Sequence, residues 1–334
     1  MCDVEGLRKG LCQMSECLAV GIDIGGTKVS GGVVGEDGRI LRRSRRHTPD
    51  RSKSPRVVED TIVAVVDELT DGLEVSAVGI GAAGFVSVDG ARVVFAPHLS
   101  WRNEPLRDSL AQRLGMRVHV ENDANAALWA EYRFGCAAGE SHVVMITLGT
   151  GIGGALLEEG GLRRGRYGIA GEYGHMQVVP DGRRCECGNR GCWEQYSSGN
   201  ALVREAKALI ENESPMSVEL AARVQEAGGV LTGPLVTEAA RNGDATAVEL
   251  LAEVGQWLGV GMANLAAAVD PGLFVVGGGV SAAGDLLVEP AREMFAKKLT
   301  GRGYRPVAKV VAAALGNDAG LIGAADLARS ETRG

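Results

Sequence analysis

"CLAVGIDIGGTKVSGGVVG", residues 17–35, consists of two short apolar runs joined by a Gly-Gly-Thr-Lys turn. Runs of this length, rich in Val and Ile and bounded by glycine, read as strands, so the stretch is a β-hairpin. The pattern returns at 145–161 as "MITLGTGIGGALLEEGG", where Leu148-Gly149 matches Ile24-Gly25 about 124 residues later. A repeat that wide indicates two related domains facing each other, not a solenoid.

The segments between the hairpins extend this reading. "AVGIGAAG" (77–84) and "RVHVEN" (117–122) are further strands, and helical periodicity covers about 57–69 and 105–114. "DANAALWAEYRFG" follows as a helix stopped by Gly135. Strands interleaved with helices predict an α/β class, and 334 residues suit two domains.

Composition narrows the function. Hydrophobic residues make up 45% and charged residues 23%, as in ordinary soluble proteins. Glycine, at 49 residues, has roughly twice its usual share, which points to tight turns and close backbone approach to ligands. A net charge of −7 and a pI near 5.4 argue against a nucleic-acid partner. The exception, "RILRRSRRHTPDRSKSPR" at 39–56, holds eight basic residues and reads as a solvated edge strand and loop. No apolar leader follows the first residues, and "WLGVGMANLAAAV" is too short to span a bilayer. The expectation is a cytoplasmic protein with no membrane partner and reduced thiols. Residues 1–17 lack periodicity and read as a flexible extension, within which Met14 is an alternative start; Cys2, Cys12, Cys17 and Cys136 are scattered.

Three elements carry chemistry. The Gly25-Gly26 turn suits an anion nest, with Lys28 adding charge, although a plain hairpin turn has the same composition. It is not a Walker A loop, because Gly-Thr-Lys is followed by a strand and not a helix. The second glycine turn and a third cluster, "VVGGGVS" at 275–281, favour phosphate binding. In "VENDANAALWAEY", either Asn122 or Asp123 caps the following helix, or Asp123 is a general base at the carboxyl end of a strand. In "GEYGHMQVVPDGRRCECGNRGCWEQY", His175, Cys185, Cys187 and Cys192 make a Cys₃His set, the donor set of a closed structural zinc site. Glycines at 182, 188 and 191 let the chain curl around the ion.

Taken together, "GIDIGGTK", "VENDANAA", "LGTGIGG", "GEYGH", "CECGNRGCWEQYSSG" and "VVGGGVS" resemble the ROK family of sugar kinases, and within it the ATP-dependent glucokinases of Gram-positive bacteria. The six motifs run in the family's order from about residue 18 onward. The resemblance implies a two-domain actin-like (ribonuclease H-like) fold with the active site in the interdomain cleft. It implies a smaller α/β domain at 18–121, on which a C-terminal helix at about 317–330 packs back, and a larger one at 122–316 carrying the zinc loop 175–192.

The implied activity is transfer of the γ-phosphoryl group of Mg²⁺-ATP to the 6-hydroxyl of glucose, with one structural Zn²⁺ per chain. Asp23, Gly25, Gly26, Thr27 and Lys28 match the first phosphate loop, with Asp23 near magnesium. Thr150, Gly151 and Gly153 match the second, and Gly277, Gly278 and Gly279 the adenosine side. Asp123 matches the catalytic base. Asn122, Glu172, His175 and Glu194 match sugar-hydroxyl binders, with the backbone at Gly84 lining the same pocket. One departure is His98, where relatives often carry asparagine beside the sugar site. Alternatives within the family are kinases for mannose, fructose or an N-acetylated hexosamine, polyphosphate as donor, and repressors, whose winged helix-turn-helix exceeds the 17 residues before the first strand. A homodimer or higher homo-oligomer is the family's usual state.

Overall fold

The computed structural model describes residues 17–330; the expected extension, with Cys2, Cys12 and Met14, lies outside the described residues apart from Cys17. The described chain divides into two compact units, one formed by residues up to Ala130 and from Asp318 onward, the other by Glu131–Asn317.

In the first unit, β1 (Ala19–Ile24) and β2 (Lys28–Val34) are the expected hairpin. Gly25 N–H closes it by donating to the Lys28 carbonyl at 3.0 Å, with Asp23 opposite Ser30. The basic strand β3 (Ile40–His47) forms the sheet edge. α1 (Pro55–Thr70) buries Ile62, Val65, Val66 and Leu69, the i, i+3, i+4, i+7 stripe of an amphipathic helix. β4 (Val78–Ala82) pairs parallel with β1. The segment after it folds into a small separate sheet, β5 (Phe85–Val86), β6 (Val93–Phe95) and β7 (Arg102–Glu104). α2 (Leu106–Leu114) leads into β8 (Val118–Asn122), which pairs parallel with β4, so the main sheet reads β3-β2-β1-β4-β8. α3 (Asp123–Phe134) starts on the residue after β8 and ends before Gly135.

The second unit repeats the plan. β9 (His142–Leu148) and β10 (Ile152–Glu158) are the second hairpin, edged by β11 (Gly161–Leu162). The cysteine-bearing loop leads to α4 (Gly199–Glu211), then to α5 (Val218–Glu226), α6 (Gly233–Arg241) and α7 (Ala245–Val269). Asp244 Oδ1 caps α7 by accepting from Ala247 N–H. β12 (Leu273–Gly277) pairs parallel with β9, and after α8 (Asp285–Lys298), β13 (Lys309–Ala312) pairs parallel with β12. The order β11-β10-β9-β12-β13 has the same plan as the first sheet: three antiparallel strands, then two parallel additions. The wide repeat in the sequence is a repeat of topology, and the architecture is the two-domain actin-like α/β fold.

The apolar run expected not to cross a membrane lies in α7, where Val254, Leu258, Met262 and Leu265 are buried in the second core. Among the described residues no helix is long and apolar enough to span one.

The last helix, α9 (Ala319–Ser330), returns to the first unit. Gly21 and Gly79 make this possible, since a Cβ on either would collide with the carbonyls of Leu321 and Ala324. Asp326 and Arg329, each 3% exposed, pair at 3.0 Å. Trp129 Nε1–H donates to Asp326, and Arg329 donates to the Val34 carbonyl. A buried pair of this kind needs such extra hydrogen bonds to offset its desolvation.

Candidate active site

The first set of site residues sits at the carboxyl ends of the parallel strands β1, β4 and β8, where open α/β sheets present ligand groups. Thr48 ties down the hairpin turn: its Oγ1 donates to the Gly25 carbonyl at 2.7 Å and its N–H to the Thr27 carbonyl. Gly26 and Thr27 are left exposed at the tip. His98, in the loop between β6 and β7, lies against Gly26, where an added Cβ would come within 3.0 Å of His98 Cβ.

Asp23, at the end of β1, has its carboxyl pushed up to about 7, mainly by removal from water, then by the negative charge of Asp123, with Lys28 opposing. Two carboxylates close enough to feel each other are suited to a divalent cation.

At Asn122-Asp123 the geometry shows which residue makes the cap bonds. Asn122 Oδ1 accepts from the N–H groups of Ala124 and Asn125 at 3.0 and 3.1 Å, which is the capping role. Its Nδ2 donates to the Gly84 carbonyl at 3.1 Å. Gly84 has φ +152°, and a Cβ there would overlap the Phe95 carbonyl, so glycine is needed for this approach. Asp123 Oδ1 also accepts from Ala124 N–H at 2.9 Å, but the cap does not depend on it.

The second set belongs to the other unit. Gly149 and Thr150 stand exposed after β9. Their carbonyls accept from Gly199 N–H at 2.8 Å and Asn200 N–H at 3.3 Å, so the first turn of α4 holds the loop. Gly277 pairs with Thr147 at the ends of β12 and β9, which brings the third glycine cluster to the same sheet end. Gly278, at φ +82°, packs its backbone on Leu148, and the position of a Cβ on Gly279 meets nothing. Gly153 lies on β10, opposite Thr147.

The cysteine loop gathers as its composition predicts. One ligand atom each from His175, Cys185, Cys187 and Cys192 lies within 4.8 Å of all the others. Cys185 Sγ is 3.6 Å from His175 Nδ1, and Cys187 Sγ is 3.6 Å from Cys192 Sγ. Backbone bonds from Cys185 to Asn189, Gly188 to Cys185 and Gly191 to Arg183 curl the chain around this point. Three thiols and one imidazole at this spacing fit tetrahedral zinc and leave no position for water.

Two carboxylate–imidazole contacts and one carboxylate–thiol contact join the cluster to the expected sugar binders. Nε2 of His175 is 3.8 Å from Glu172, and Nδ1 is 3.6 Å from Glu194. Glu194 Oε1 accepts from Cys185 Sγ at 3.0 Å. Burial lifts the Glu172 carboxyl above its ordinary range, with His175 opposing and Glu194 reinforcing. Trp193, fully buried, anchors the segment by donating from Nε1 to the Trp257 carbonyl.

Sequence reasoning missed Thr48, Glu121 and Asn125. Thr48 leaves no signal, being one threonine in a polar loop. Glu121 does leave one: it is a carboxylate near the end of an apolar strand, 2% exposed.

Comparison with known proteins adds an independent line. The model of the ROK family matches residues 19–331. The glucokinase of Streptomyces coelicolor is 48% identical over 313 residues, covering 93% of this chain and 98% of that protein. The glucokinase of Thermotoga maritima is 36% identical over 323 residues, covering 96% and 100%. Among solved structures, the crystal structure of a ROK family glucokinase from Streptomyces griseus in complex with glucose and AMPPNP superimposes with a TM-score of 0.86 at 50% identity, covering 94% of this chain and 99% of that one.

Proposed function

The chain belongs to the ROK family, and on that premise we propose that it is an ATP-dependent glucokinase, transferring the γ-phosphoryl group of ATP to the 6-hydroxyl of glucose. The observation that carries the reading is the match, over nearly the whole chain, to a glucokinase structure holding glucose and an ATP analogue.

Phosphoryl transfer passes through a loose transition state, so the protein's task is positioning and charge neutralisation. Asp123 is the base that orients the 6-hydroxyl and takes its proton, a role left open to it because Asn122 caps α3. Gly84 and Asn122, locked to each other, offer a rigid edge for the sugar. Glu172 and Glu194 accept hydrogen bonds from sugar hydroxyls and so read stereochemistry. His175 adds a ring nitrogen whose orientation the cluster sets. Lys28 and the Gly25-Gly26 and Thr150-Gly151 backbones would meet the phosphates, and Gly277 to Gly279 the nucleoside. Asp23 is the carboxylate that would hold magnesium, which would supply neutralisation of the triphosphate. His175, Cys185, Cys187 and Cys192 hold zinc, whose contribution is structural.

ATP is favoured over polyphosphate as donor, because three of the four arginines of the basic strand are engaged within the fold. Arg43 makes a bidentate pair with Asp318 at 2.6 and 2.7 Å, Arg46 pairs with Glu68, and Arg42 donates to the Leu69 and Asp71 carbonyls. We further propose that the protein works in the cytoplasm, where ATP is available and thiols stay reduced, as a homodimer or higher homo-oligomer. A coupled ADP-release assay over a panel of hexoses, repeated with polyphosphate, tests the reading: glucose with ATP should give the highest kcat/KM. A preference for fructose or N-acetylmannosamine overturns the substrate assignment. Light scattering tests the oligomer.

A further inference from the structure

The junction between β8 and α3 has no loop. Asn122 is the last strand residue, paired with Ala82, and Asp123 is the first residue of the helix. A chain that turns this abruptly needs something to fix the angle between strand and helix, and with it the direction of Asp123.

The fixing group is Glu121. Its Oε1 accepts from the backbone N–H of Asn122 at 3.0 Å and from Asn125 Nδ2 at 2.9 Å. One acceptor therefore joins the strand end to the first helical turn, with Asp123 between the two bonded residues. Glu121 and Asn125 are both 2% exposed, and Oε2 of Glu121 lies 3.9 Å from His119 Nε2, itself on the same strand. The arrangement carries a standing cost: a carboxylate is taken out of water, and Asn125 Oδ1 is buried with no hydrogen-bond partner. An apolar pair would hold β8 to α3 without either penalty. What an apolar pair does not supply is a directional bond on each side of Asp123.

We propose that Glu121 and Asn125 are positioning residues for phosphoryl transfer, a staple across the strand–helix junction that sets the aim of the Asp123 carboxylate. The inference rests on Asp123 being the base, and its test separates the two.

Asn125→Ala removes one leg of the staple and Glu121→Gln keeps the Oε1 acceptor. Asn125→Ala should lower kcat by about 10- to 100-fold, with KM for glucose and ATP within about threefold of wild type, because misaim costs rate and not ground-state binding. Glu121→Gln should recover most of the rate, since both N–H bonds survive. In an Asp123→Asn background, Asn125→Ala should cost nothing further, because the two act as one unit. Wild-type kcat in Asn125→Ala, or an equal loss in both backgrounds, overturns the staple while leaving the base intact. Near-normal turnover in Asp123→Asn alone overturns the base. Thermal melts of every variant settle whether a low rate reflects lost fold: a rate loss in Asn125→Ala that tracks the unfolded fraction also rules against positioning.

Discussion

The carboxylate of Glu194 occupies the space that a side chain on Gly151 would need: a Cβ there would overlap Glu194 Oε2. The other oxygen of the same carboxylate accepts from Cys185. One side chain thus touches the metal cluster and the turn at Gly151, and under the proposed roles it would tie the reading of the sugar to the seating of the nucleotide. Gly151→Ala should displace Glu194 and lower kcat/KM for both glucose and ATP by about 10- to 100-fold, the usual scale for sub-ångström to ångström misplacement. Steady-state kinetics with each substrate varied in turn would check this; an effect confined to ATP would break the link.

Asp123→Asn keeps the size of the side chain and removes the base. We expect kcat to fall by about 10² to 10⁴, with glucose binding by calorimetry nearly intact. Because Asn122 carries the cap, the melting temperature should not fall.

Zinc should be separable from chemistry but not from sugar binding. Cys187→Ala should lose about one zinc per chain by elemental analysis and weaken glucose binding about 10- to 100-fold, as loss of a supporting shell does. ATP affinity should change less, through Glu194 alone. A zinc-free variant with unchanged glucose affinity would remove the cluster from the site.

Asp23 predicts a pH effect on stability in the ligand-free protein. Its carboxyl is raised to about 7 in the fold, against 3.8 ordinarily, so the folded state holds a proton that the unfolded chain has released. The stability from this group is fully present below the ordinary value and lost as pH rises through about 7. Asp23→Asn abolishes the penalty, so it should stabilise the protein at pH 8 relative to wild type, by at most about 4 kcal/mol, and have little effect at pH 4. Denaturant titrations at the two pH values measure the difference. Activity should be lost in the same variant.

How legible all this was depended on the range over which each signal acts. The hairpins were readable because a glycine turn between apolar runs is a local pattern; their repetition gave two related domains, and the family resemblance gave the actin-like architecture. The zinc ligands were readable because three of the four lie within eight residues and the loop closes on itself. Asn122 and Asp123 were not separable from sequence, since either suits a helix start; only the direction of the side chains shows that Asn122 makes both cap bonds. The small sheet β5-β6-β7 went unread because strands of two or three residues carry no periodicity. Thr48 and the Glu121–Asn125 bond act between segments whose proximity the fold creates, and spacing along the chain does not announce them.

The return of α9 to the first unit bears on how the protein is made. The ribosome releases β1 early, yet the face of its sheet around Gly21 and Gly79 stays bare until residues 319–330 emerge. The middle of the chain, Glu131–Asn317, holds its own core and can collapse as soon as it is out. During synthesis the first unit therefore waits, half-built, for its lid. A truncation before residue 319 would take the Asp326 acceptor from Trp129 and leave this sheet face uncovered, so such nonsense or frameshift changes should yield aggregate where comparable damage in an exposed loop is tolerated.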